Sequence, residues 1–230
     1  RSLFTGVCTV IVFGVSDQYS LRPLVGRTEA MGGSLVNVSR TLALRVREFT
    51  PSQSAHEHFN EAIPGFVRAL RNHLRPNQPG TAIPPSATEF SSVNHVPNAW
   101  AQSMERQSAQ LLAQGKLSAQ EHWLIAQNIE RMIDILGACE RILKTPVPYS
   151  YSMFLKKFIF LYVITLPIGF VATFEWWSVP VVMLVFYILV SVELIAEEIE
   201  DPFGVDENDL PLDALCETIE KNVSEIFARS

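Results

Sequence analysis

Cysteine is scarce in this chain. Its 230 residues hold three, Cys8, Cys139 and Cys216, odd in number, far apart and without metal-ligand spacing. That pattern argues against a disulfide framework and fits buried thiols or a reducing compartment. A basic stripe with interleaved aromatics is missing, and the net charge is −6, so nucleic acid is not an expected partner. His56, His58, Cys139 and the carboxylates form no triad, metal or phosphate-loop spacing. An enzyme is therefore the least expected reading, and no cofactor is required. No internal repeat is present. Arg1 to Val15 lacks a cleavage site and a clear charged n-region, so no secretory signal is expected. The chain opens without Met, as a fragment would.

What is present is apolar and helical. Hydrophobic residues make up 48% of the chain, and the excess concentrates between Phe158 and Ile195. From Ser34 to about Thr145 the pattern is helical. Ser39 to Glu48 carries Leu42, Leu44 and Val46 among three arginines. Ala55 to Arg75 reads as a second helix interrupted near Pro64. Pro76 to Pro97 is a loop rich in Pro, Ser and Asn. Ala99 to Gly115 and Ser118 to Thr145 read as two more helices. Ser118 with Glu121 three residues on is a capping-box pattern. An apolar stripe follows through Trp123, Ile125, Ile129, Met132, Ile133, Ile135 and Leu136.

Phe158 to Phe174 then runs without a charge, and Ser178 to Ala196 carries only Glu193. A bilayer core about 30 Å thick needs roughly 20 apolar residues, so both runs sit at the margin and buried soluble helices remain an alternative. Lys156 and Lys157 flank the first run as cytoplasmic flanks do, and Phe174, Trp176 and Trp177 suit the headgroup level. The connection permits only a tight hairpin, which puts both outer ends on the cytoplasmic side. Pro167 is tolerable as a kink and Pro180 near a helix start.

Glu193 to Asp213 holds nine acids and no Lys or Arg. Pro202 and Gly204 break the helix, and Asp206, Glu207, Asn208 and Asp209 follow on the turn. Clustered oxygen ligands suit a hard cation such as Ca²⁺, but the spacing is not that of an EF-hand. On the residues alone a solvated acidic turn is the favoured reading, and capping of the next helix by Asp209 and Asp213 is a further alternative. From Asp213 an amphipathic helix runs through Leu215, Ile219 and Val223.

Three segments in this order carry a resemblance. They are Leu35-Val-Asn-Val-Ser-Arg-Thr-Leu-Ala43, then Thr145-Pro-Val-Pro-Tyr-Ser-Tyr151 with the Pro-containing hairpin, then Ala196-Glu-Glu-Ile-Glu-Asp-Pro-Phe-Gly204. Together, over about Ser34 to Phe227, they resemble the bestrophin family in its bacterial branch. The resemblance implies an all-α subunit, a membrane hairpin with a cytoplasmic helical bundle, in a homopentamer around one pore in the inner membrane. Animal members are Ca²⁺-gated anion channels, and bacterial members can prefer cations. Chloride, other anions or monovalent cations are thus the implied permeant ions, and the lipid bilayer an implied partner. Position by position, the cytoplasmic aperture falls near Phe154. Glu198, the carbonyl of Asp201, Asp206 and Asp209 fall on the calcium-clasp positions.

The first 33 residues depart from that family. Val15 to Gly32 can be spelled in codons that, read one base later, give Phe-Arg-Thr-Asn-Thr-Ala-Tyr-Asp-Arg-Trp-Trp-Glu-Gly-Arg-Lys-Gln-Trp, a familiar family stretch. The expectation is an out-of-frame reading of residues 1–32, regained near Gly33; a divergent terminus is the other reading. Val7, Ile11 and Val15 have helical spacing, but the family's neck role does not transfer to them. The expected zones are residues 1–33 (anomalous), 34–153 (mainly cytoplasmic helices), 154–196 (transmembrane hairpin) and 197–230 (clasp-like turn and final helix). The function expected is an ion-channel subunit. The alternative is a non-conducting, membrane-associated remnant without the first membrane helix and pore neck.

Overall fold

Apolar residues recur three and four apart over most of this chain, and the computed structural model turns that period into helices. It describes residues 31–76, 93–144, 149–200, 202–204 and 209–228. The helices are α1 (residues 31–49), α2 (Gln53–Leu74), α3 (Val96–Ala113), α4 (Ala119–Lys144), α5 (Tyr149–Phe174), α6 (Ser178–Glu200) and α7 (Leu212–Ala228), with a 3₁₀ turn at Glu175–Trp177. No strand occurs among the described residues. The out-of-frame reading of residues 1–32, with Val7, Ile11 and Val15, falls almost wholly outside the described residues.

The chain divides into two compact units. One includes Thr145–Pro202 and Asp206–Asp209, and so holds α5 and α6; the other includes Thr28–Lys144, Phe203–Val205 and Leu210–Ser230.

In the second unit α2 is the central element. Ala55, Phe59, Ala62, Ile63, Phe66, Val67, Leu70 and Leu74 are buried around much of its circumference. The interruption expected near Pro64 does not occur, and α2 runs through it. A proline inside a helix costs about 3 kcal/mol, but here Ile63, Pro64, Gly65 and Phe66 are all buried. Tertiary packing, rather than propensity, holds the turn. Gly65 has its own reason to be there. A Cβ at that position would stand 2.8 Å from Cε2 and Cζ2 of Trp100, so the missing side chain is the seat for the α3 indole.

Around α2 the other helices present single faces. On α1, Leu35, Leu42 and Val46 are buried, whereas Leu44 is half exposed and points away from the core. Arg45 donates to the Leu124 carbonyl of α4 (2.9 Å) and Arg47 to the Ile226 carbonyl of α7 (2.5 Å). On α4, Ile125, Ile129, Met132, Leu136 and Cys139 form the buried stripe. Two residues expected on it are not there. Trp123 is 58% exposed and Ile133 42%, because at 3.6 residues per turn Trp123 lies nearly opposite Ile125 and Ile133 at the stripe's edge. Burial pushes the Cys139 and Cys216 thiols up to about 11, which keeps both protonated and poor nucleophiles at neutral pH.

The helix ends follow local chemistry. The Ser118 backbone N–H donates to a Glu121 carboxylate oxygen at 2.7 Å, and the Glu121 N–H donates back to the Ser118 hydroxyl at 3.3 Å. This is the reciprocal capping box anticipated from the sequence, and the same Ser118 contacts hold the Glu121 carboxyl below its usual range. The helix α3 starts at Val96, three residues before the expected Ala99, because His95 caps it and Pro97 occupies its first turn. It ends at Ala113, where Gly115 adopts φ +68° and the Lys116 N–H reaches the Leu111 carbonyl (2.9 Å). That is a Schellman closure with glycine in the left-handed position.

Gly65→Ala is expected to destabilise the fold by up to about 2 kcal/mol. Overpacking against a rigid ring costs roughly 1–3 kcal/mol, and the helix-propensity gain of about 1 kcal/mol offsets only part of it. Unfolding of the detergent-solubilised chain measures this; unchanged or raised stability would mean that Trp100 yields freely.

Candidate functional site

The helices α5 and α6 form the expected hairpin, each longer than its apolar run. They join through the 3₁₀ turn, where Glu175 takes φ +44° and its carbonyl accepts from the Ser178 hydroxyl at 2.6 Å. Trp176 and Trp177 stand 87% and 76% exposed at the tip. Along the helices, Phe160, Leu161, Ile164, Ile168, Met183 and Leu184 are all more than half exposed. A hairpin from a soluble core would turn such side chains inward; this one turns them out. Among the described residues, Glu175–Ile195 is long and apolar enough to cross a membrane, and it is almost wholly unburied. Glu193, the one charge in the second run, lies 3.3 Å from Lys156 Nζ on α5. Opposite charges thus meet across the hairpin near the end away from the tryptophans.

Phe154, the expected aperture residue, lies in the second turn of α5 with its ring 65% exposed. It stacks on Phe158 (centroids 6.3 Å apart), which stacks on Tyr162 (5.9 Å). The spacing of four residues lines the three rings along one helical face.

The expected clasp is only partly described. Glu198 is in the last turn of α6, but its side chain lies outside the described residues, as do Asp201 and Asp206. Asp209 is half-buried. Asp213 does not play the capping role considered for it. It sits inside the first turn of α7, and its carboxylate takes Arg71 (2.8 Å) and Arg75 (3.0 Å).

Arg75 is the residue that sequence reasoning missed. Its side chain is 6% exposed, at the C-cap of α2. Nε donates to the Phe203 carbonyl (2.5 Å), Nη2 to the Leu210 carbonyl (3.3 Å) and Nη1 to Asp213 (3.0 Å). One guanidinium therefore holds the backbone on both sides of the acidic turn. Arg68, a further turn back, pairs with Glu220. Three arginines at spacings of three and four on α2 thus face two acids seven apart on α7, and the order of the pairs makes the helices antiparallel. That spacing was visible in the sequence, but not the partner.

A second cluster joins α2, α3 and α4. His73 Nε2 and His95 Nε2 lie 3.0 and 2.7 Å from the same Glu140 oxygen, and Lys144 lies 3.3 Å from the other. His56 and His58 have structural partners instead, the Thr50 carbonyl (2.7 Å) and the Ser103 hydroxyl (3.1 Å).

Comparison with known proteins agrees with this architecture. A family model described as bacterial/fungal bestrophin protein matches residues 26–225. A curated protein of Synechocystis, named a voltage-dependent anion channel-forming protein, is 32% identical over 86% of this chain and 66% of its own length. One of the same designation from Escherichia coli K12 is 29% identical over 94% of this chain and 72% of its own. Against the curated relatives from Synechocystis and Salmonella typhi, this chain spans 66% and 64% of the relative's length. A crystal structure of a bacterial bestrophin homologue from Klebsiella pneumoniae superposes with a TM-score of 0.87 at 28% identity, over 98% of this chain and 85% of that one.

Arg75→Met is expected to cost about 3–5 kcal/mol, since it strands buried carbonyls and a carboxylate partner. Asp213→Asn should cost less, on the order of 1 kcal/mol, because its carboxylate is 55% exposed and screened. Thermal unfolding gives the order. Hydrogen exchange at Phe203 and Leu210 should rise in the Arg75 variant alone; equal effects would remove the clamp role from Arg75.

Proposed function

The chain belongs to the bacterial/fungal bestrophin family, and from that premise we propose that it is a subunit of an anion-conducting membrane channel. The observation that carries the reading is the outward-facing apolar hairpin, set beside relatives named as anion channel-forming proteins. Water is a poor solvent for those side chains, at roughly 25 cal/mol per Å² of apolar surface. A bilayer and neighbouring subunits are good ones.

In this reading five copies surround a central pore, and α5 and α6 both cross the inner membrane. Their outer ends, and with them most of the chain, lie on the cytoplasmic side, a reading that the flanking Lys156–Lys157 pair supports. A lone carboxylate in a membrane span is costly, and the Lys156 partner of Glu193 relieves that cost. Phe154 lines the cytoplasmic aperture, where an exposed ring at the start of an aromatic ladder narrows the path by size and by its reluctance to hydrate. Small anions, chloride first, are the permeant species. Glu198, the Asp201 carbonyl, Asp206 and Asp209 bind Ca²⁺ weakly, with a stabilising rather than gating role.

Reconstituted in liposomes, the chain is expected to carry chloride flux that exceeds potassium flux. Phe154→Ala is expected to change the anion-to-cation ratio; an unchanged ratio removes the aperture role. A folded chain that passes neither ion is the non-conducting remnant instead. In intact cells, a cysteine replacing Trp176 should be labelled from outside and one replacing Ser150 should not; equal labelling rules out a spanning hairpin.

Calcium should raise the melting temperature of the wild type and not of the variant carrying Asp206→Ala and Asp209→Ala. A rise in neither, or an equal rise in both, removes the clasp.

A further inference from the structure

The pairing of His73, His95 and Glu140 is unlike the other polar contacts of the bundle. Each residue comes from a different helix end: His73 from the last turn of α2, His95 from the cap of α3, Glu140 from the last turns of α4. Both imidazoles aim Nε2 at one carboxylate oxygen, at 3.0 and 2.7 Å, with ring centroids 4.6 Å apart. All three candidate ligand atoms lie within 4.8 Å of one another.

We propose that His73 Nε2, His95 Nε2 and Glu140 Oε1 form a binding site for a borderline transition-metal ion, Zn²⁺ above others, which pins the ends of α2 and α4 to the start of α3. Two imidazoles and one carboxylate are a donor set suited to Zn²⁺ and its neighbours, and unsuited to Ca²⁺ or Mg²⁺, which require oxygen. Metal–ligand bonds of roughly 2.0–2.1 Å in a tetrahedron set the ligand atoms roughly 3.3 Å apart. The His73–Glu140 and His95–Glu140 separations, 3.0 and 2.7 Å, therefore open by about 0.3 and 0.6 Å on binding. The side chains are 28%, 31% and 20% exposed, which leaves an entry path and room for water as fourth ligand. The His95 hydrogen bond, then Lys144, holds the Glu140 carboxyl below its usual range, so it is charged at neutral pH. Lys144 is 68% exposed and free to swing into solvent as the metal neutralises the carboxylate.

Binding has a definite local cost. Without metal, His95 Nδ1 accepts from the Asn98 N–H at 3.3 Å, so Nε2 carries the proton that points at Glu140. A metal on Nε2 moves the proton to Nδ1, which then cannot accept, and the α3 cap is lost. An N-cap is worth about 1 kcal/mol, and this one is long, so the metal bonds outweigh it.

The test uses the full chain, stripped of metal and held in detergent, with ZnCl₂ as the probe in calorimetry and thermal unfolding. One Zn²⁺ per chain and a raised melting temperature are expected at neutral pH. The effect should weaken in acid, where protons compete with the metal for its ligands. Co²⁺ should give the intense visible bands of a tetrahedral site. His73→Gln and Glu140→Gln should each weaken Zn²⁺ about 100-fold. His95→Asn should do the same while keeping a competent cap, which separates loss of a ligand from loss of folding. Zn²⁺ affinity unchanged in these folded variants, or no effect of Zn²⁺ on the wild type, overturns the site.

Discussion

The bundle depends on where a buried arginine can find acceptors. A guanidinium cannot shed its proton inside a protein, so burying Arg75 is tolerable only with its donors aimed at oxygen. Phe203, Leu210 and Asp213 supply three such oxygens, all from the segment that follows the hairpin. The path of the chain back into the bundle is therefore constrained by electrostatics at least as much as by apolar packing. Phe203, Leu210 and Leu212 are all buried, and Arg75 holds the Phe203 and Leu210 carbonyls.

The hairpin answers a different solvent. In the bundle, α1 and α4 each bury one apolar face; in α5 and α6 the apolar residues go almost all the way round. Such a helix has no amphipathic face from which to choose a partner. What orients it is the few polar atoms it carries: the Ser178 hydroxyl closing the turn and the Lys156–Glu193 pair across it.

Local chemistry was legible in the sequence and remote pairing was not. The Ser118–Glu121 box, the stripe from Ile125 to Leu136, the two apolar runs and the Trp turn are all written within a few residues, and the structure has them. Pro64 misled because its cost is local and the packing that buries its turn comes from elsewhere in the bundle. Trp123 misled because hydrophobicity was read without its angle. The arginine ladder has a readable spacing but no readable partner, and the His73, His95 and Glu140 cluster has no spacing to detect. Their members are brought together only when helices distant in sequence pack. The proposed clasp rests on the resemblance, and of its four residues only Asp209 has a described side chain.

Both unforeseen clusters meet at the same last turn of α2, and helix electrostatics gives a reason. The C-terminal end of a helix carries partial negative charge and the N-terminal end partial positive charge. Arg71, His73 and Arg75 therefore stand where cations are favoured, and Asp213 stands in the first turn of α7 where an anion is favoured. Antiparallel packing of α2 on α7 sets these two ends together, so the macrodipoles and the side-chain charges favour the same register. A position two residues on from Arg71 turns about 200° around the helix, which carries His73 to the other side, toward His95 and Glu140. One helical end thus satisfies two separate polar groups on opposite faces. A slip of α2 by one residue relative to its neighbours would break both at once, which is a stronger constraint on register than the apolar contacts alone provide.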